Sequence, residues 1–541
     1  MLTKCHGPVT DRTADTIAAH TLLGVLVRDV AAPAGAVRTT AEHLTVDLPG
    51  ACLRVRLRAR SVLHAHRFTG AVQERVPQGW AVIGFERLLT LLEQLLARWC
   101  GPGGGRLATE VRAGRAALAA ALAQRPRQPA RSLAEPAAGY VDSEQALLAG
   151  HPRHPAPKWR SGDPEQWRRW SPEARTAFPL HWLALRADRV QEWSAGVPTL
   201  DGLAPEVPDG HRPLPLHPWQ ARLLAEPLAA AQRRGDLVDL GPAGPPWHPT
   251  SSVRTLYQPE ADVFVKTSLS VRITNCMRHS TAAELEKAVR LTRLLTPLLA
   301  GVDGFVLLGE PFARTVADPG LADRVGAIVR VGLGLAPDER AHLAGTLAAQ
   351  EPDPAGTPTR LAAVTVDPLA WWERYVALLV PPVLRLWAAH GVVLEPHLQN
   401  VLVVTGRAGI PERVLLRDME GVRLRTDRHA DLLGALDPAV AAATAYTPDQ
   451  AAARIGYCLL VNNLGELAVA VAELAGAPEE KLWDPVRIAV AATAADLGEP
   501  PELRTLLDGP TLPAKANLVV RWRGAEDPQA PYVPVPNPLA R

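Results

Sequence analysis

Cysteine is scarce in this 541-residue chain: Cys5, Cys52, Cys100, Cys276 and Cys458 are its five, and none stands in a Cys-x-x-Cys spacing. The pattern excludes a disulfide framework or a structural zinc site as the organising feature and predicts a reducing, cytoplasmic setting. No run of about 18 uninterrupted apolar residues occurs, so no membrane-spanning helix is expected. The opening MLTKCHGPVTDRTADT lacks a basic stretch leading into an apolar one, and no export signal is expected either. An excess of one charge is missing too, with 58 Lys+Arg against 56 Asp+Glu, so no broad basic field marks a nucleic-acid partner or an anionic membrane. Gly-x-Ser-x-Gly, a phosphate loop ending in Gly-Lys-Ser/Thr, and a Cys beside a His-bearing motif are all absent, which removes the familiar covalent nucleophiles. Lysine is the last shortage. Only Lys4, Lys158, Lys266, Lys287, Lys481 and Lys515 occur among the 58 basic residues, so a retained Lys hints at a place that needs a compact ammonium.

What is present fits more than one domain. The first 150 residues read as mainly helical, with helices over Phe85 to Cys100 and Ala108 to Ala123 and a few β-like runs such as Leu53 to Leu57. Short strands are expected at Val253 to Tyr257, Val263 to Lys266 and Leu269 to Thr274, antiparallel, the first two joined by a turn at Gln258 to Asp262. A helix over Ala282 to Leu299 opens with the capping-box pattern Thr281-Ala282-Ala283-Glu284. Strands at Phe305 to Phe312 and Gly326 to Leu333 follow, then a long helix over Asp367 to His390, kinked at Pro381-Pro382 and closed by Gly391. Val401 to Val404 and Val414 to Leu416 flank a Gly-rich turn and read as a hairpin. The remainder is helical until a β-like run, Leu518 to Trp522.

Three polar clusters could do chemistry. Strand alternation would put Ser252 and Arg254 on one sheet face, and returning strands would add Lys266 and Arg278, making an anion cradle; a solvated sheet face is the bland alternative. Glu395, His397, Gln399 and Asn400 lie just before the hairpin and Asp418 just after it. Its ends bring Asn400 and Asp418 together, and with Glu395 these are hard oxygen ligands of the kind Mg²⁺ takes beside phosphate. A capped helix end would explain them without function. A helix, a polar loop, a strand and an Asp-terminated strand also suit a small-molecule kinase, although no His-Arg-Asp base is present. The loop GHPRHPAPKWRSG carries His151, His154, Lys158 and Arg160, either a carboxylate-binding loop or plain surface. His217-Pro218-Trp219-Gln220 reads as a packed turn or a site element, and Lys515 as a surface or a site lysine. Without a covalent nucleophile, activation by ATP with no enzyme-bound intermediate is the simplest chemistry.

In order, GHPRHPAPKWRSG, LHPWQ, SSVRTL, FVKTSLSVRITNCMR, EPHLQN, RDMEG and LPAKANL resemble the IucA/IucC family of NRPS-independent siderophore synthetases, over about residues 150 to 520. The resemblance implies an α+β fold shaped as a cupped hand: a mainly helical thumb over 1–195, antiparallel β-rich fingers over 196–350, and a palm over 351–541 with the hairpin site. It implies ATP and Mg²⁺ as cofactors and adenylation of a carboxylate, usually of citrate or a citrate derivative, for attack by an amine, hydroxylamine or alcohol. Ser252, Arg254, Lys266 and Arg278 would then hold phosphates, with Thr274, His397 and Gln399 lining the ATP and acyl site. Glu395, Asn400 and Asp418 would hold the metal, His154, Lys158 and Arg160 would meet the carboxylate substrate, and Arg278, His397 and Lys266 would act in catalysis. A homodimer is implied as well. Pro396 and Arg278-His279-Ser280 depart from the expected pattern near the acyl pocket, which leaves the identity of the acid open.

Overall fold

The computed structural model describes residues 7–124, 135–162, 164–273, 276–350, 359–525 and 530–540. Its N-terminal part holds more strand than the sequence suggests. A five-stranded antiparallel meander runs through Val37–Thr39, His43–Leu48, Ala51–Ala59, Arg67–Val76 and Gly79–Val82. In His43–Leu48 the alternate residues Leu44, Val46 and Leu48 point inward, and the Leu53-Arg54-Val55-Arg56 run buries its aliphatic members while arginines cover the outer face. Helices Phe85–Cys100 and Leu107–Gln124 fall where expected, and Leu88, Leu92 and Leu96 pack on the sheet.

The site depends on a second sheet of eight antiparallel strands. Their spatial order is Val190–Ser194, Phe312–Val316, Ala327–Val331, Val263–Thr267, Thr255–Gln258, Leu237–Pro249, Phe178–Arg186 and His211–Leu216. Val263–Thr267 is central and buried on both faces. Its register pairs Val263 with Val331, Phe264 with Arg330, Val265 with Val329 and Lys266 with Ile328, so Phe264, Lys266, Ile328 and Arg330 share one face. Leu256, Val263, Val265, Ala327 and Val329 fill the other face with an aliphatic core.

The expected hairpin forms. Val401–Thr405 and Pro411–Leu416 pair with Val401 opposite Leu416, flanked by Arg340–Leu343 on one side and by Phe305–Leu307, parallel, on the other. The predicted strand Phe305 to Phe312 is therefore two strands in two sheets: Phe305–Leu307 joins the hairpin, and Phe312–Val316 joins the eight-stranded sheet. Gly309, Glu310 and Pro311 cross between them. Helix Ala282–Leu299 opens with the predicted capping box, and Pro368–Ala388 is one helix containing Pro381 and Pro382, burying Trp371, Trp372, Tyr375 and Trp387 in the core it shares with the hairpin sheet and the C-terminal helices.

Leu518 to Trp522, read as β, lies in helix Asn517–Arg523. The Asp29 carboxylate accepts from Leu518 N at 2.8 Å at its start, Gly524 ends it at φ +68°, and Leu518 and Val520 are fully buried in the N-terminal core. Tertiary burial and caps override the local preference of the two valines.

Helix Glu135–Gln145 is tied to both sheets by one buried group. Glu144 accepts from Arg417 Nη1 at 2.6 Å and from Ser251 N at 2.9 Å, and Tyr140 joins them. Burial alone would push the Glu144 carboxyl up, but the Arg417 guanidinium overrides it and holds the carboxyl below its ordinary value. Glu144→Ala should therefore cost about 3–5 kcal/mol in urea unfolding, since it strands Arg417 in the interior; a loss under about 1 kcal/mol would show that the pair does not brace the fold.

Candidate active site

The hairpin ends place two polar groups side by side. Arg417 N donates to the Asn400 carbonyl at 3.0 Å, closing the ladder, and the chain beyond turns at Asp418, whose φ is +85°. A non-glycine residue in that region is strained. The strain points Asp418 back at the eight-stranded sheet, where Lys266 Nζ lies 2.5 Å from its Oδ1. The turn Met419–Gly421 then delivers Glu420, whose Oε2 lies 2.8 Å from the same Nζ and 2.5 Å from Arg254 Nη2. Gly421 is required there, because a Cβ would stand 2.5 Å from Glu395 Oε2.

Arg254 also donates from Nη1 to the carbonyls of Arg278 and His279 and to Ser280 Oγ, at 3.0, 3.1 and 3.1 Å, and so fixes the segment bearing Arg278. Arg278 donates to the Ile273 carbonyl at 3.1 Å. Ser252 and Arg254 do not sit on a strand as expected. Val253 has φ +69°, the strand begins at Thr255, and Ser252 Oγ accepts from Thr255 N at 3.2 Å in a turn. Both residues still reach the cradle, through that turn. Ser252, Arg254, Lys266, Arg278, Gln399, Asn400 and Asp418 line one cavity of about 70 Å³ together with Arg330 and Arg417. Thr274 lies outside the described residues.

The EPHLQN loop is held from behind. Asn463 Nδ2 donates to the Pro396 carbonyl at 2.8 Å, Asn462 Oδ1 accepts from Leu398 N at 3.4 Å, and Arg417 donates to the Gln399 carbonyl at 2.8 Å. Both asparagines belong to the nine-residue π-helix Gly456–Leu464, an irregularity that recurs at functional sites. His397 Nε2 lies 4.0 Å from Glu395 Oε2. Burial pushes the imidazole below its ordinary value, partly opposed by Glu395 and Asp418, so it is neutral near pH 7.

Of the three metal candidates, Asn400 and Asp418 line the cavity, whereas Glu395 is 3.3 Å from Arg454. Asn400 Nδ2 donates to the Glu395 carbonyl at 3.2 Å, which leaves its amide oxygen as the coordinating end. Among the described residues no three His, Cys, Asp or Glu side chains group to hold a metal unaided. The donors suit Mg²⁺, which commonly takes one or two carboxylates and fills its shell with phosphate oxygens and water. Asp418 and Glu420 already converge on one positive centre, the Lys266 ammonium.

The thumb-side residues are brought near, but with partners. Lys158 Nζ and Arg160 Nη2, both half-buried, lie 2.5 and 2.8 Å from Oε1 of the buried Glu173, and Arg160 bridges to Ile273 at the cavity edge. His154 is buried and its Nδ1 accepts from Ala156 N at 3.1 Å. His217 caps helix Pro218–Leu223 and Trp219 stacks on Trp167 at 4.3 Å, which fits the packed-turn reading. Lys515 is buried, not a surface residue. Sequence reasoning passed over Glu420, Arg330 and Glu310. Glu420 had a signal in RDMEG, two residues from Asp418 and so on the same side of a turn; the other two stand alone in apolar runs.

With this geometry in hand, known proteins were compared. A model described as the IucA/IucC family matches residues 139–349. The rhizobactin siderophore biosynthesis protein RhbC of Rhizobium meliloti is 31% identical over 75% of this chain and 77% of its own length. The chain belongs to the IucA/IucC family. The L-2,3-diaminopropanoate–citrate ligase of Staphylococcus aureus is 30% identical over 74% of each chain. The ATP-bound aerobactin synthetase IucA of Klebsiella pneumoniae superposes with a TM-score of 0.85 at 26% identity, covering 97% of this chain and 99% of that one. The mixed α/β fold is thus that of the IucA/IucC structures. A second model, described as a ferric iron reductase FhuF-like transporter, matches residues 369–530. Within that stretch Pro448–Ala475 is the one helix of the described residues long and apolar enough to cross a membrane, and it is wholly buried in the protein.

The paired charges make a pH prediction. Lys266 and then Arg330 outweigh burial and hold Asp418 far below its usual range; Arg254 and Lys266 hold Glu420 down at about 2. Depressed carboxylates contribute stability that is full above their unfolded values of about 4 and is lost as pH falls toward 2. Lys266→Met should raise both toward ordinary values and move the acid-unfolding midpoint up by about one pH unit; an unchanged midpoint by circular dichroism would contradict the pairing.

Proposed function

We propose that this chain is a siderophore synthetase that adenylates a carboxylate of citrate or a citrate derivative with ATP and passes the acyl group to an amine, hydroxylamine or alcohol. The observation that carries the reading is the cradle itself: Arg254, Lys266 and Arg278 from the eight-stranded sheet and the segment after it line one cavity with Asn400 and Asp418 from the hairpin. Citrate appears in the names of several relatives, the diaminopropanoate–citrate ligase among them.

In the first step a carboxylate oxygen attacks the α-phosphorus, the bond to the β-phosphoryl oxygen breaks, and pyrophosphate leaves with the electron pair. The nucleophile then attacks the acyl carbon, AMP leaves, and the nitrogen or oxygen gives up its proton. Both reactants of the first step are anions. Ser252, Arg254, Lys266 and Arg278 hold the phosphates against the approaching carboxylate and offset the repulsion. His397 and Gln399 would line the nucleotide and acyl positions. His397, neutral near pH 7, can donate one hydrogen bond without adding charge. Mg²⁺ would be held by Asn400 and Asp418, with Glu395 and Glu420 adjacent, and would supply charge neutralisation for the leaving pyrophosphate. Lys158 and Arg160, braced by Glu173, and His154 would face the carboxylate substrate. The cupped-hand division into thumb, fingers and palm, the homodimer and the cytoplasmic location belong to the same reading.

Hydroxylamine trapping tests it. A screen of citrate and related acids with ATP should yield hydroxamate together with AMP and pyrophosphate; ADP as the sole nucleotide product would indicate a kinase instead. Arg278→Ala should lower kcat/KM by on the order of 3 kcal/mol, more than a hundredfold, by removing a donor to developing charge. Asp418→Asn should raise the Mg²⁺ concentration for half-maximal rate, and a wild-type titration would remove Asp418 from the metal site.

A further inference from the structure

Arg330 lines the cavity, and Glu310 is paired with it from behind. Arg330 is 2% exposed, lines the cavity, and stands on the same sheet face as Lys266. Its Nε and Nη2 donate to Glu310 Oε1 at 3.0 and 2.5 Å. Its Nη2 is 3.7 Å from Asp418 Oδ1, beyond hydrogen-bond reach, while Lys266 approaches the same oxygen to 2.5 Å. Glu310 is fully buried in the crossing between the two sheets, its own N–H donates to Thr292 Oγ1 at 2.8 Å, and its Oε2 has no hydrogen-bond partner.

A buried carboxylate with one oxygen unsatisfied costs stability, and here that cost is offset by the pairing with Arg330. Its effect is on Arg330. Asp418 is the nearest other anion to that guanidinium, and without Glu310 the two would close the remaining gap. Arg330 would then compete with Lys266 for the carboxylate that the metal would need.

We propose that Arg330 is a further phosphate-binding cation of this site and that Glu310 is its positioning residue, drawing Arg330 away from Asp418, which stays paired with Lys266, and keeping the guanidinium on the cavity wall. The proposal rests on the ATP-dependent reading above. It separates two charges that attract each other and assigns each to a different part of the Mg²⁺–triphosphate.

The test is a double-mutant cycle on the full chain with Glu310→Gln, Arg330→Gln and the pair. The readouts are calorimetric binding of a non-hydrolysable ATP analogue with Mg²⁺, the Mg²⁺ dependence of that binding, and KM against kcat. Glu310→Gln keeps the shape and one acceptor but removes the charge. It should weaken analogue binding and raise both KM for ATP and the half-saturating Mg²⁺ concentration about tenfold, with kcat changed less than about threefold. The pair should be no worse than Arg330→Gln alone, because Glu310 acts through Arg330. Additive losses, or a lowered melting temperature with unchanged ATP and Mg²⁺ dependence, would overturn the assignment and leave Glu310 a structural partner. If Glu310→Gln does not fold, Glu310→Asp, which keeps the charge but shortens the reach, should show the same split. Wild-type protein that neither binds the analogue nor forms hydroxamate would instead defeat the ATP reading itself.

Discussion

Charge buried where two sheets meet has to be matched, cation to anion, and the active site is built on that constraint. Taking the Lys266 ammonium out of water costs several kcal/mol, recovered only if anions are brought to it with good geometry. The eight-stranded sheet carries the lysine, whereas the turn after the hairpin carries Asp418 and Glu420. Neither sheet can slide along the other without stranding an ion. Glu144 with Arg417, 273 positions apart, and Glu310 with Arg330, 20 apart, repeat the arrangement at the same junction. Apolar contacts between the sheets, such as Phe264 and Tyr257 against Leu402 and Leu415, are tolerant of small shifts, and the ion pairs are not. The junction is thus held in register by the groups that would handle phosphate and metal.

The hairpin and its flanking polar groups were legible in the sequence because two local rules agree there. A β-branched run, a glycine-containing turn and a second apolar run specify the pairing, and the pairing alone brings Asn400 beside Asp418. The capping box at Thr281 and the helix after Asp367 were legible for the same reason, since side-chain caps act within three residues. Arg330 and Glu310 were not legible. Each is a lone charged residue in a strand-like stretch, and only the register of Val263–Thr267 against Ala327–Val331 shows which face Arg330 takes. Glu310 is harder still, because Phe305 to Phe312 reads as one strand and its division between two sheets is a tertiary fact.

The misread elements have the same cause. Ser252 and Arg254 were placed correctly in space by a wrong local argument: alternation would have put them on one face, but the positive φ of Val253 does so through a turn. The N-terminal sheet escaped in part because arginines and other polar residues interrupt its apolar positions on the outer face, as in Leu53-Arg54-Val55-Arg56. Helix Asn517–Arg523 forms against the preference of Val519 and Val520 because Asp29, almost 500 positions earlier, supplies its first acceptor. Propensity decides where tertiary partners are indifferent, and here they are not.

The shortage of lysine acquires a physical sense at this point. Lys266, Lys287 and Lys515, half of the six, are buried. Lys266 is shared by two carboxylates, and Lys287 Nζ donates to the Glu420 carbonyl at 2.8 Å from the helix behind it, so the Asp418–Glu420 turn is clasped by lysine side chains from two elements. A planar guanidinium holds its donors in a rigid fork, and Arg330 turns two of them on one oxygen of Glu310. A point charge on a flexible stem can serve oxygens from several directions. In a chain whose surface cations are almost all arginine, lysine persists where several acceptors from one short turn must converge on a single centre.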